Sequence, residues 1–110
     1  MKTKNNKIKI FNLEELYKII NSRIKSKNEN SYTCKLNKNP KLLYKKIKEE
    51  ATELTKTRNK KQVIWETADL LYFVTVLLAK RKVKFKKVYK KLEERNKKPR
   101  KLIKSNKRSN

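Results

Sequence analysis

The 110-residue chain contains no glycine and no histidine, and it has only one cysteine and two prolines. Without a second cysteine it cannot form an internal disulfide, and without histidine it has neither a Cys/His zinc site nor an imidazole for acid–base chemistry. Carboxylates and lysines must therefore perform any chemistry. The sequence predicts a soluble protein of a reducing compartment, the cytoplasm by preference and an organelle as the alternative.

Long hydrophobic runs are also missing. The longest apolar stretch, residues 68–79, is interrupted by Asp69 and Thr75 and is shorter than the roughly 20 residues that a membrane span needs. The basic residues 1–9 lack the apolar segment of a signal peptide. We therefore expect no association with a membrane.

Acidic residues are scarce, since 10 of them face 34 lysines and arginines and leave a formal net charge of +24. A charge of this size attracts polyanions through a long-range, salt-sensitive field. The basic residues are spread over every segment and mark no single recognition helix. They indicate only non-specific attraction to nucleic acid.

The length allows one small domain. We predict an all-α fold, a small four-helix bundle over residues 12–95, between a basic and mobile N-terminus (1–11) and a basic disordered tail (96–110). Asn12 is the predicted N-cap of the first helix, and Asn39 with Pro40 begins the second. The third and fourth helices are predicted at 62–80 and 85–95 from their apolar periodicity.

The third predicted helix is apolar nearly all round. Such a helix belongs at the centre of a bundle or in an interface between chains. We expect Trp65 and Tyr72 to pack in the core. Because one small chain cannot cover this circumference, the sequence predicts a protein that is stable only as a homo-oligomer.

Half of the acidic residues fall within residues 49–69. Glu50 and Glu53 are three apart on the second helix, and each such pair lies on one side of its helix. Glu66 and Asp69 repeat the spacing on the third helix. Four carboxylates that face each other across a short turn are the oxygen ligands that Mg²⁺ prefers, so the pattern outlines a metal site that cleaves a diphosphate.

The alternative is that the glutamates form ordinary salt bridges with lysines three or four residues away. Spacing alone does not separate the two interpretations for the second helix. Glu66 and Asp69 favour a metal, because an unpaired carboxylate among apolar neighbours is costly.

Three blocks, residues 31–36 (Ser-Tyr-Thr-Cys-Lys-Leu), 46–54 (Lys-Ile-Lys-Glu-Glu-Ala-Thr-Glu-Leu) and 65–73 (Trp-Glu-Thr-Ala-Asp-Leu-Leu-Tyr-Phe), resemble the signature blocks of phosphoribosyl-ATP pyrophosphohydrolase. This family belongs to the all-α NTP pyrophosphatase superfamily. The spaced acids indicate only the superfamily, and the first block narrows the resemblance to the family.

The resemblance implies Mg²⁺-dependent hydrolysis of the α–β phosphate bond of N1-(5-phosphoribosyl)-ATP in histidine biosynthesis. It implies Glu50, Glu53, Glu66 and Asp69 as metal ligands, and Glu49 as a base for water or an orienting acid. It also implies a homodimer. A chain of this length has no room for the phosphoribosyl-AMP cyclohydrolase of the next step, so we expect a separate enzyme.

Lys46 matches a basic residue of the family that neutralises substrate phosphate, and its alternative role is a helix salt bridge. Ser31, Tyr32, Thr33 and Lys35 are predicted to lie in the loop before the second helix and to bind phosphate or ribose. A simple turn with a packed tyrosine is the alternative for this segment. Cys34 is assigned no role.

The chain departs from the family where Lys82 replaces the glycine that commonly closes the third helix. A lysine in a left-handed conformation costs roughly 1 kcal/mol relative to glycine. Two other functions also fit the sequence: another nucleoside triphosphate pyrophosphatase, of the MazG or dUTP-hydrolysing type, or a non-enzymatic polycationic helical protein that binds nucleic acid.

Overall fold

A computed structural model of the protein describes residues 10–97, and these residues form five α-helices and no strand. The helices are α1 (Leu13–Ser26), α2 (Tyr32–Lys38), α3 (Pro40–Thr55), α4 (Lys60–Lys80) and α5 (Phe85–Lys97). The predicted all-α class is confirmed, with one helix more than the predicted four. Most of the two predicted tails, residues 1–9 and 98–110, lies outside the described residues.

Asparagine side chains begin three of the helices. Asn12 Oδ1 accepts the backbone N–H of Glu15 at 2.9 Å, and Asn39 Oδ1 accepts that of Leu42 at 3.2 Å. Both caps are as predicted. The third, Asn59, caps α4, and its Oδ1 accepts the N–H of Gln62 at 2.9 Å. Helix α4 begins at Lys60, two residues before the predicted start. The Asn-x-x-Gln spacing of a capping box could have located this start.

Helix α2 occupies the segment that we predicted as a loop. It is only seven residues long, too short for a helical repeat to stand out in the sequence. Ser31 caps it, since its hydroxyl accepts the backbone N–H of Cys34 at 3.2 Å. The Cys34 thiol is buried and unpaired with another cysteine, and it donates to the carbonyl of Arg23 on α1 at 3.0 Å.

The core lies where α1, α2 and α3 pack around the C-terminal half of α4. Its buried apolar residues are Ile20, Leu36, Leu43, Phe73, Val76 and Ala79. All buried residues of α4, from Phe73 to Ala79, belong to that half. Helix α5 packs mainly on α1, where the rings of Phe85 and Tyr17 meet edge to face with centroids 6.3 Å apart. Leu92 of α5 is exposed.

The C-terminal end of α4 has the predicted strained lysine. Lys82 has a φ of 60°. Its N–H donates to the carbonyl of Ala79 at 3.1 Å, and the N–H of Val83 donates to that of Leu78 at 2.9 Å. These two bonds make a Schellman motif, in which the left-handed position usually holds glycine.

Among the described residues, α4 alone is long and apolar enough to cross a membrane by length and composition. The central helix of a bundle passes the same test. Here the C-terminal half of α4 supplies part of the protein core.

Candidate metal centre

Three of the four predicted metal ligands meet between α3 and α4. One carboxylate oxygen each from Glu50, Glu66 and Asp69 lies within 4.8 Å of the other two. We call these three residues the carboxylate cluster. Oxygens on opposite sides of a Mg²⁺ ion are about 4.2 Å apart, so the cluster is close to the size that one ion requires. Glu66 and Asp69 belong to the same side of α4, as their spacing predicts.

The electrostatics of the cluster favour a bound cation. Burial raises the pKa of Glu50, a hydrogen bond with Glu66 and the charges of Glu66 and Asp69 raise it further, and Lys46 opposes them. The three carboxylates of the cluster therefore repel one another when they are charged. A divalent cation among these oxygens would replace the repulsion with attraction, and the all-carboxylate donor set suits a hard ion such as Mg²⁺.

Glu53, the fourth predicted ligand, lies outside the cluster. We expected it to point to the same side as Glu50, but it is exposed and lines an open groove of about 600 Å³ on the outer face of α3. Residues three apart differ by about 60° around a helix, and the rotation of α3 against α4 brings Glu50, but not Glu53, to the cluster. The lining of this α3 groove is Lys41, Tyr44, Lys45, Lys48, Glu49, Thr52 and Glu53.

Glu49 forms the salt bridges that the alternative interpretation predicted. Its carboxylate lies 3.3 Å from the ammonium of Lys46 and 3.9 Å from that of Lys45. The hydrogen bond and the charge of Glu49 raise the pKa of Lys46, with smaller effects from Tyr32 and Glu50. Lys46 is thus paired with Glu49 and close enough to Glu50 of the cluster to interact with its charge. Its predicted contact with substrate phosphate, and the catalytic role of Glu49, stay predictions.

The four residues predicted to bind substrate, Ser31, Tyr32, Thr33 and Lys35, lie at the start of α2 and differ in exposure and hydrogen bonding. The hydroxyl of Ser31 is used as the helix cap, and Thr33 is only 2% exposed and hydrogen-bonded to Tyr72. Tyr32 and Lys35 remain exposed. The substrate contacts of all four stay predictions, but the hydroxyls of Ser31 and Thr33 already have hydrogen-bond partners within the protein.

The two aromatic residues of the third sequence block differ in burial. Tyr72 is half-buried and packs against the core, as predicted. Trp65 was predicted to lie in the core as well, and this is wrong because its side chain is 56% exposed. It belongs to the N-terminal half of α4, beyond the buried residues, where the ammonium of Lys61 lies 5.0 Å from the ring centroid.

Comparison with known proteins matches the chain to one enzyme family. The profile of the family described as phosphoribosyl-ATP pyrophosphohydrolase matches residues 13–96. A phosphoribosyl-ATP pyrophosphatase of Sulfurisphaera tokodaii is 42% identical over an alignment of 89 positions that covers 77% of this chain and 95% of that protein. One of Lactiplantibacillus plantarum is 40% identical over an alignment of 88 positions that covers 76% of this chain and 83% of that protein.

A histidine biosynthesis trifunctional protein of Saccharomyces bayanus is 41% identical over 73 residues, which are 66% of this chain. The match covers only 9% of the yeast protein, so the chain spans a small part of that relative and nearly the whole of the archaeal one. No solved structure significantly matches the chain.

Proposed function

Because the chain belongs to the phosphoribosyl-ATP pyrophosphohydrolase family, we propose that it hydrolyses the α–β phosphate bond of N1-(5-phosphoribosyl)-ATP in a Mg²⁺-dependent reaction. Water adds across the bond, and the products are phosphoribosyl-AMP and pyrophosphate. The observation that carries the proposal is the convergence of Glu50, Glu66 and Asp69 from two helices. A strongly basic surface favours the approach of a polyanionic substrate.

In this proposal the carboxylate cluster holds the Mg²⁺ ion. The bound ion supplies a Lewis acid for phosphate oxygens and lowers the pKa of water. The partial burial of Glu50 and Glu66 limits competition from bulk water. Glu53 is proposed as a further ligand, and reaching the ion would require its side chain to turn from the α3 groove towards the cluster.

Lys46 and Glu49 supply the other charged groups beside the cluster. In this proposal the ammonium of Lys46 neutralises negative charge on substrate phosphate, and its closeness to Glu50, whose pKa it lowers, supports that role. The carboxylate of Glu49, held 3.3 Å from Lys46, accepts a proton from the attacking water or orients that water. When substrate phosphate competes for Lys46, Glu49 becomes the freer base.

The test of this proposal is pyrophosphate release by the purified full chain with phosphoribosyl-ATP, dUTP and dCTP, each in Mg²⁺ and in excess EDTA. We expect turnover of phosphoribosyl-ATP in Mg²⁺ only, with kcat/KM at least about 100-fold above that of the other two. A preference for dUTP or dCTP would identify another nucleoside triphosphate pyrophosphatase. No release from any substrate would favour a polycation whose nucleic-acid affinity falls steeply between about 50 and 200 mM salt.

A homodimer is part of the same proposal. Val63, Ile64 and Trp65, the apolar patch, are 43%, 66% and 56% exposed at the N-terminal half of α4. A patch of this kind beside a site favours a protein partner, and a second copy would cover it. Light scattering after size exclusion should give a dimer for the wild type, and Ile64→Lys should lose the dimer. Ile10→Lys, which changes an isoleucine that is 73% exposed elsewhere, should remain a dimer.

The proposed product, phosphoribosyl-AMP, must be the substrate of another enzyme in the pathway. We propose that a phosphoribosyl-AMP cyclohydrolase takes phosphoribosyl-AMP in the cytoplasm. The name of the yeast relative, a histidine biosynthesis trifunctional protein, supports the pathway. A coupled assay with added cyclohydrolase should convert phosphoribosyl-ATP beyond phosphoribosyl-AMP.

A further inference from the structure

One hydrogen bond joins the short helix α2 to the helix that carries two of the cluster carboxylates. The hydroxyls of Thr33 and Tyr72 are 2.7 Å apart, although the residues are 39 positions apart in the chain. Thr33 is 2% exposed, so its hydroxyl has little access to water. Removing either hydroxyl would leave the other without its partner, which makes the bond a fixed feature of the fold.

Tyr72 lies on the same side of α4 as the carboxylates. Glu66, Asp69 and Tyr72 follow one another at intervals of three residues, so each is a neighbour of the next on the helix surface. The bond to Thr33 therefore fastens α2 to α4 one turn beyond Asp69. A shift of α2 at this point would move whatever α2 presents to the carboxylate cluster.

The residue that α2 presents there is Tyr32. Its ring stacks on that of Tyr72, with centroids 6.5 Å apart and planes 13° apart, and it meets Phe73 edge to face at 6.2 Å. Tyr32 is also close enough to Lys46 to raise its pKa, although the effect of Glu49 on that pKa is larger. The exposed Tyr32 ring thus contacts aromatic side chains of α4 and lies near the ammonium of Lys46.

We propose that Thr33 and Tyr72 act together as positioning residues, whose shared hydrogen bond holds Tyr32 and the start of α2 in register with the carboxylate cluster. This inference rests on the proposed function. It gives Thr33 a role through Tyr72 in place of the substrate contact that the sequence suggested. Tyr32 and Lys35 are then the residues of α2 that face the substrate.

The experiment compares kcat and KM for phosphoribosyl-ATP hydrolysis in the wild type, Thr33→Val, Thr33→Ser, Tyr72→Phe and the Thr33→Val/Tyr72→Phe double variant. We expect Thr33→Val and Tyr72→Phe each to lower kcat by about 10- to 100-fold, because small displacements in a site have effects of this size. The double variant should be no worse than the worse single variant, since both remove one bond. Thr33→Ser keeps the hydroxyl and should stay within about 3-fold of the wild type.

Cys34→Ala is the matched control. Cys34 is also buried on α2, and its thiol bonds to Arg23 on α1, away from the cluster. This variant should lower the melting temperature and leave kcat within about 2-fold. If Thr33→Val does not fold, Tyr72→Phe tests the same bond with the ring kept.

Three results would overturn the inference. An active wild type with unchanged kcat in Thr33→Val and Tyr72→Phe leaves the proposed function standing and removes the positioning role. A rise in KM alone for Thr33→Val, additive with Tyr72→Phe, would mean that Thr33 contacts the substrate directly. An inactive wild type overturns the proposed function and this inference with it.

Discussion

The two halves of α4 differ in composition and in surroundings: nine of the eleven residues 70–80 are apolar, whereas only four of the ten residues 60–69 are. In the C-terminal half, Phe73, Val76 and Ala79 are buried by the other helices of the same chain. In the N-terminal half, Val63, Ile64 and Trp65 are exposed, and Glu66 and Asp69 meet Glu50 of α3. An apolar helix is therefore not by itself a core helix. One half contributes to the core, and the other carries two carboxylates of the cluster and the exposed apolar patch.

The largest expected effect separates chemistry from stability at the N-terminal half. Asp69→Asn keeps the shape of the side chain and removes one charged ligand of the cluster. We expect it to lower Mg²⁺-dependent pyrophosphate release by about 100-fold or more, with a melting temperature in EDTA no lower than that of the wild type. Activity close to that of the wild type would mean that Asp69 does not hold the ion.

A matched pair of valines tests the contrast in packing. Val76→Ala removes two methyl groups from a site that is 0% exposed, whereas Val63→Ala makes the same change where exposure is 43%. We expect a loss of about 2 kcal/mol in the free energy of unfolding for Val76→Ala and less than about 0.5 kcal/mol for Val63→Ala in the monomer. Urea denaturation at low protein concentration would measure both, and equal losses would contradict the contrast.

The C-terminal end of α4 offers a stabilising change. Lys82 is held at a φ of 60°, which glycine adopts without steric cost. Lys82→Gly should raise the free energy of unfolding by about 1 kcal/mol. The control is Lys84→Gly, because Lys27 and Lys82 are the only described residues with positive φ and Lys84 gains nothing from glycine. Loss of stability in Lys82→Gly would show that the lysine side chain stabilises this turn.

The smallest expected effect is a pH-dependent rise in melting temperature when Glu50 of the cluster is made neutral. The pKa of Glu50 is raised in the folded protein, so its contribution to stability is present at low pH and is lost as pH rises through that raised pKa. Glu50→Gln, which is always neutral, should raise the melting temperature in EDTA by about 1–2 °C at pH 7 and by nothing at pH 4.

Glu53→Gln, outside the cluster, is the control for that comparison and should melt as the wild type does. Added Mg²⁺ should reverse the order, since the wild type binds the ion and gains stability while Glu50→Gln gains less. A melting temperature for Glu50→Gln below that of the wild type in EDTA would contradict the predicted repulsion.

Local signals in the sequence predicted local structure. Asn12 and Asn39 cap helices because side-chain oxygens satisfy backbone groups three residues away, and the three-residue spacing of Glu66 and Asp69 is enough to place them on one side of α4. The left-handed Lys82 was expected from the family resemblance, because relatives commonly have a glycine at that position. Such features depend on neighbours along the chain.

The features that the sequence missed depend on packing between distant segments. The bond between Thr33 and Tyr72 spans 39 residues, and α2 exists largely because its buried side chains reach the core. Whether Glu53 joins Glu50 depends on how α3 is rotated against α4, which helical spacing alone does not determine. Trp65 is exposed because no other helix of the described part of the chain covers its side of α4.

Helix α5 has a further consequence for local unfolding. Its main contacts are with α1, through Phe85, whereas the carboxylate cluster joins α3 and α4. Detachment of α5 would expose little of the core and would leave the cluster assembled. In native-state hydrogen exchange, amides of α5 should therefore lose protection before those of α3 and α4, and a protease that trims the chain from its C-terminal side should spare the site.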